Sequence, residues 1–223
     1  MRDRPSRTPS FSVDLVLVTA VGNALAVLLT RTTGDRERWS LPWRVPQAGE
    51  ALDTAAARIS QEALGEAPSW MEQAGAFGDG KRHPSDADVS VAYVGLVPHE
   101  TASPRAGFTW FQLAELPQLS PRQRAMVDGA TKTIQGRLDQ APIAFRLLPA
   151  TFTLSELQQM YELLLGKRLH KASFRRALQG AWLVEPTDEW RSEGRGRPAQ
   201  LYRYLPKKRR RAHRGLRFDF LYP

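Results

Sequence analysis

Between Arg44 and Gly65 the chain carries Arg44, Glu50, Arg58 and Glu62, residue types that can bind diphosphates or hold a metal. Residues 53–65 are predicted to be helical, with Asp53 or Thr54 as the cap and an alanine-rich interior. Positions 59, 62 and 63 are spaced i, i+3, i+4, so they share one helical face. Carboxylates at all three would concentrate the hard oxygen ligands that Mg²⁺ takes. The residues present are Ile59, Glu62 and Ala63, which leaves one carboxylate. One carboxylate is a poor holder for a catalytic metal ion. Arg58 and Glu62, four residues apart, are also placed to pair with each other as plain scaffold.

A second chemistry lies in the last third of the chain. Thr153 and Glu156 fit a capping box. Leu157, Met160, Tyr161 and Leu164 then repeat at helical spacing up to Gly166. After the basic link KRLH, residues 171–179 (KASFRRALQ) predict a second helix. It has Phe174, Ala177 and Leu178 on one side, with Ser173, Arg175, Arg176 and Gln179 available to the other. Residues 182–187 and 199–205 read as a hairpin with a Gly/Arg-rich tip. Two short-linked helices and a hairpin make a winged helix-turn-helix. Arg195-Gly196-Arg197-Pro198 at the tip suits a narrow A·T minor groove. Residues 206–217 add seven basic residues and no acid, a tail suited to tracking phosphate.

Charge divides the chain the same way. The net charge is +9; residues 1–146 are neutral overall, and residues 147–223 hold the whole excess. A neutral front and a basic back are expected where one domain binds a polyanion. Cysteine is absent, which excludes disulfides and thiolate metal sites. The four histidines lack ligand spacing. No apolar run approaches the length of a membrane helix. The expected setting is cytoplasmic, with no membrane partner.

The front is predicted to be a mixed sheet flanked by helices. Strand runs fall at 13–20 and 24–30 around Gly22-Asn23, at 39–46, 70–77 and 88–97, and near Trp110-Phe111. An exposed loop is expected over residues 78–87 and a helix over 121–139. The expected organisation is a basic arm at 1–10, an α/β domain at 11–140, a winged helix at 141–205 and a basic tail at 206–223. The connector within 140–152 is apolar enough to pack between the two domains.

These residues carry a family resemblance. Residues 44–65 resemble the Nudix box, in which Gly, five residues, Glu and seven residues precede Arg-Glu-apolar-any-Glu-Glu-any-Gly. Glu50, Arg58, Glu62 and Gly65 are in register. Arg44 replaces the first Gly, Ile59 and Ala63 replace two of three metal-binding carboxylates, and Ser60 takes the apolar position. The run IAFRLLPATFTLSELQQMYELLLGKRLHKASFRRAL, with the hairpin ending GRPAQLYRY, is similar to the Nudix-related transcriptional regulators of the NrtR type. KRHPSDADVSVAYVGLVP resembles the family's Arg-x-Pro loop and the strand after it.

The resemblance implies a homodimeric bacterial repressor on a palindromic double-stranded operator. Its Nudix-like pocket would require no cofactor, would sense a nucleotide such as ADP-ribose, and would commonly serve genes of NAD metabolism. Arg44, Glu50, Arg58, Glu62, Lys81 and Arg82 would line or border that pocket. Lys171, Ser173, Arg175 and Arg176 would enter or flank the major groove, and Arg191, Arg195 and Arg197 would meet the backbone or minor groove. Two rivals stay open: an active Nudix hydrolase with a basic nucleic-acid-binding appendage, and a constitutive DNA binder whose front domain only dimerises.

Overall fold

The computed structural model describes residues 9–32, 38–78, 83–192 and 198–206. Lys81, Arg82, Arg195, Arg197 and the tail from residue 207 lie outside them. Among the described residues, strands β1 (Phe11–Val21), β2 (Ala24–Thr32), β3 (Arg38–Ser40), β4 (Trp43–Arg44), β5 (Trp70–Phe77), β6 (Val89–Leu96) and β7 (Phe108–Gln112) form one mixed sheet. Its main order is β3-β2-β1-β6-β5, with β4 on β1 and β7 on β2. The β1–β6 pair is parallel and the other pairs are antiparallel.

Alternation along β1 assigns the two faces. Val13, Leu15 and Leu17 point to a core under helix α1 (Leu52–Leu64), with Ala55, Ala56, Ile59 and Ala63. Val16, Val18 and Ala20 point the other way, to a core under helix α2 (Pro121–Leu138), with Met126, Val127, Ala130 and Ile134. A strand buried on both faces reads as a continuous apolar run, which is why VDLVLVTA shows no clean alternation.

The second core does not stop at α2. It continues through a 3-10 turn at Ile143–Arg146 into helix α3 (Leu154–Leu165) and helix α4 (Lys171–Ala181), taking in Phe145, Phe152, Leu157, Tyr161, Phe174 and Leu178. The Tyr161 and Phe174 rings meet edge to face at 5.5 Å. Strands β9 (Val184–Arg191) and β10 (Ala199–Tyr204) form the wing. A two-residue strand, β8 (Thr151–Phe152), pairs with β10 and makes the connector part of the wing sheet. No helix among the described residues is long and apolar enough to cross a membrane.

The local expectations at α3 are met in detail. Thr153 accepts from the Glu156 N–H at 3.1 Å while Glu156 accepts from the Thr153 N–H at 2.6 Å, and Gly166 ends the helix at φ 67°. The expectation at α1 needs correction. Its cap is Ala51, with no side-chain cap bond. Asp53 lies inside the first turn and accepts from the Tyr93 hydroxyl at 2.6 Å. Burial and this carboxylate push the Tyr93 phenol up to about 12. Packing against β6 has thus claimed the carboxylate that sequence alone would place at the cap. Helix α4 also runs two residues beyond its predicted end.

Candidate functional site: a cleft beside the box helix and an exposed basic helix

The register of the sheet opens a gap. Strand β1 pairs with β2 through Val18–Val21 and with β4 through Val13 and Asp14. The far half of β2 has turned to β3 and β7. A cleft of about 860 Å³ lies there, lined by residues of β2, β3, β4, α1, the 83–86 segment, Phe108 and the start of α2.

Of the six predicted pocket residues, Arg44 and Glu62 line this cleft. Arg44 pairs with Glu62, and its Nη1 donates to the Trp43 carbonyl at 2.8 Å. The Arg58 guanidinium sits behind, donating to both oxygens of Glu50 at 2.9 Å and to Glu62 at 3.4 Å. Glu50 also accepts from the Gln47 N–H at 2.8 Å. The Arg58 bonds, joined by that backbone bond, hold the Glu50 carboxyl down from an ordinary 4.5 to about 2. Glu50 and Arg58 are not among the residues lining the cleft. They brace the loop before α1 against the helix.

This arrangement does not fit a metal centre. Ile59 is 1% exposed and Ala63 fully buried, both in the α1-side core. Glu62, the carboxylate left on that face, is ion-paired to two guanidinium groups. No group of three or more His, Asp or Glu able to hold a metal ion occurs among the described residues. Gly65, at φ 84°, closes α1, and a Cβ there would strike the Arg105 guanidinium at 2.9 Å.

Several lining residues went unread in the sequence. Arg31, Arg38, Trp39, Trp43, His83 and Gln123 all face the cleft. Arg31 lies 5.0 Å over the Trp39 ring, which meets Phe111 edge-on at 4.6 Å. His83 is buried, its Nε2 2.7 Å from Asp14 and its Nδ1 2.7 Å from Ser85 Oγ. Trp43 packs edge-on against it. The signal was the WSLPW stretch, two tryptophans beside a proline. Without the register it reads only as strand and turn.

In the C-terminal unit, α4 buries Phe174 and Leu178 and leaves Lys171, Arg175 and Arg176 exposed, with no ion-pair partner among the described residues. Ser173 is half-buried, 3.1 Å from His170 Nδ1 at the helix cap. Arg191 is engaged within the C-terminal unit. Its Nη1 donates to Glu156 at 2.6 Å and its Nη2 to the Thr151 carbonyl at 3.4 Å, tying the wing to the start of α3.

Residues 144–204 match the model of the NrtR DNA-binding winged helix domain. The ADPR responsive transcriptional repressor NtrR of Acinetobacter baylyi is 28% identical over 212 residues, spanning 91% of this chain and 84% of that protein. The crystal structure of Shewanella oneidensis NrtR complexed with a 27mer DNA superposes with a TM-score of 0.75 at 28% identity, covering 87% of this chain and 93% of that one. A MutT/nudix family protein from Enterococcus faecalis shares the fold at a TM-score of 0.68 and 19% identity, over 92% of this chain and 90% of that one. Family match, relative and fold agree: residues 144–204 are an NrtR winged helix, and the chain is similar over most of its length to NrtR proteins that join a Nudix domain to that winged helix.

Proposed function

We propose that this chain is a DNA-binding transcriptional regulator, a repressor, whose Nudix-like cleft senses a nucleotide of the ADP-ribose class and does not hydrolyse it. One observation carries the reading: among the described residues, an arginine-lined cleft without a metal-binding carboxylate set shares a continuous core with a winged helix that exposes arginines with no ion-pair partner. The Acinetobacter relative's name supports the effector class, and the Shewanella protein's complex supports duplex DNA as partner.

Helix α2 is the physical link between the two functions. Its first turn, with Pro121 and Gln123, borders the cleft, while Ile134 and Leu138 lie in the core shared with the connector and α3. An 18-residue helix spans about 27 Å. A ligand that shifts its start moves the platform under the winged helix, provided it binds one pose better than the other. Lys171, Ser173, Arg175 and Arg176 are assigned to the major groove. Arg195 and Arg197 are assigned to the wing-side contact. The chain acts as a homodimer, because two-fold operators are read by two-fold proteins. NAD metabolism genes are the proposed targets.

The test is binding of the full chain to fragments selected from the host genome, with and without ADP-ribose. A change in affinity at saturating ADP-ribose is expected, and unchanged affinity overturns the sensor reading. Incubation with Mg²⁺ or Mn²⁺ and ADP-ribose is expected to give no turnover. A rate of about 1 s⁻¹ or more would instead make it an enzyme.

A further inference from the structure

Three buried polar atoms of cleft-lining residues have no hydrogen-bond partner among the described residues: Glu62 Oε2, which is ion-paired with Arg44, and Ser40 Oγ and Gln123 Nε2, each of these two in a residue 1% exposed. Folds rarely leave a buried donor unpaired without a reason. The strand register separates the two. Leu28 belongs to the α1-side core and Leu29 to the α2-side core. By alternation Thr30 and its partner Ser40 lie on the α1 side, and Arg31 and its partner Trp39 on the α2 side. Likewise Arg44 pairs with Val13 on the α1 side, and Trp43 with Asp14 on the other. Gln123 comes from α2 itself, one turn before Met126 and Val127 of the α2-side core. The cleft thus has one side with Arg44 and Glu62, and an indole side with Trp39, Trp43 and the Gln123 amide, where Arg31 lies over Trp39.

We infer that Gln123 is the residue that reads the adenine base of the nucleotide. The inference rests on the nucleotide-sensing reading above and adds where and how the base is recognised. Indole walls suit a flat heterocycle. A carboxamide offers a donor beside an acceptor, the complement of a ring nitrogen beside the exocyclic amine of adenine. The Arg44 side then receives the diphosphate, which a guanidinium binds through charge-assisted bonds.

The experiment is calorimetric titration of the full chain, wild type and Gln123→Leu, with ADP-ribose and with its counterpart whose purine lacks the exocyclic amine. Wild type is expected to prefer ADP-ribose about tenfold or more, because a site built to accept from the exocyclic amine rejects the ligand lacking it. In Gln123→Leu, ADP-ribose affinity is expected to fall about tenfold and the preference to vanish. Gln123→Met, closer in shape, should show the same loss. Both variants should unfold at or above the wild-type temperature, since they remove an unsatisfied buried amide. If wild type binds ADP-ribose and the variants retain its affinity and preference, the assignment of Gln123 is overturned. A wild type that binds both ligands equally overturns it too. If wild type binds neither ligand, the nucleotide reading itself fails, and this inference with it.

Discussion

Helices α1 and α4 are built alike and used in opposite ways. Each buries an apolar stripe and carries charge on the remaining face. On α1 the charges are consumed: Arg58 grips Glu50 and Glu62, and Ile59 and Ala63 are sunk in the core. On α4, Lys171, Arg175 and Arg176 face solvent without ion-pair partners among the described residues. Spent charge is scaffold, whereas unspent charge remains available to a polyanion. Arg191 gives the same lesson at closer range, because it lies in the wing yet is committed to Glu156 and Thr151.

The strongest attempt to break this comparison is to restore the missing carboxylates. Ile59→Glu with Ala63→Glu should destabilise the fold by roughly 3–5 kcal/mol in urea unfolding, because the new charges enter a dry core. A variant of wild-type stability that gains Mg²⁺-dependent hydrolysis would show that α1 still presents a catalytic face. Next in size, Arg175→Ala with Arg176→Ala should weaken binding to selected DNA by about 100-fold, the scale of two lost base or phosphate contacts. Its thermal unfolding should be unchanged, and unchanged DNA affinity would remove α4 from the interface.

Arg191→Ala should behave the other way round. It should cost about 1 kcal/mol of stability, the worth of a half-exposed pair, and change DNA affinity less than the double α4 variant does. A larger DNA effect would return Arg191 to the interface. The smallest signal is in pH. The Glu50 carboxyl titrates at about 2 in the folded chain, against an ordinary 4.5. Its contribution to stability is therefore complete above about 4.5 and is lost as pH falls towards 2. Glu50→Gln should flatten that part of the acid unfolding curve, and an identical acid profile would show that the Arg58 pair contributes nothing.

Much of the architecture was legible because it is local. The capping box at Thr153, the stop at Gly166, the hairpin around Gly22-Asn23 and the periodicity of α3 depend on neighbours within a few residues. Asp53 shows the limit: a good cap by type became a partner of Tyr93, forty residues away. The cleft was legible only in part. Arg44 and Glu62 were found through the spacing of the box. Trp39, Trp43 and Gln123 come from three elements that only the sheet register brings together.

By itself the sequence determined the degenerate box, the charge split and the winged-helix pattern, because each is a matter of residue type and short spacing. Tertiary structure alone decided which charges are spent, which polar atoms stay unpaired beside the cleft, and that α2 joins that cleft to the winged helix. Those outcomes depend on burial and on partners far apart in the chain, and no local pattern encodes them.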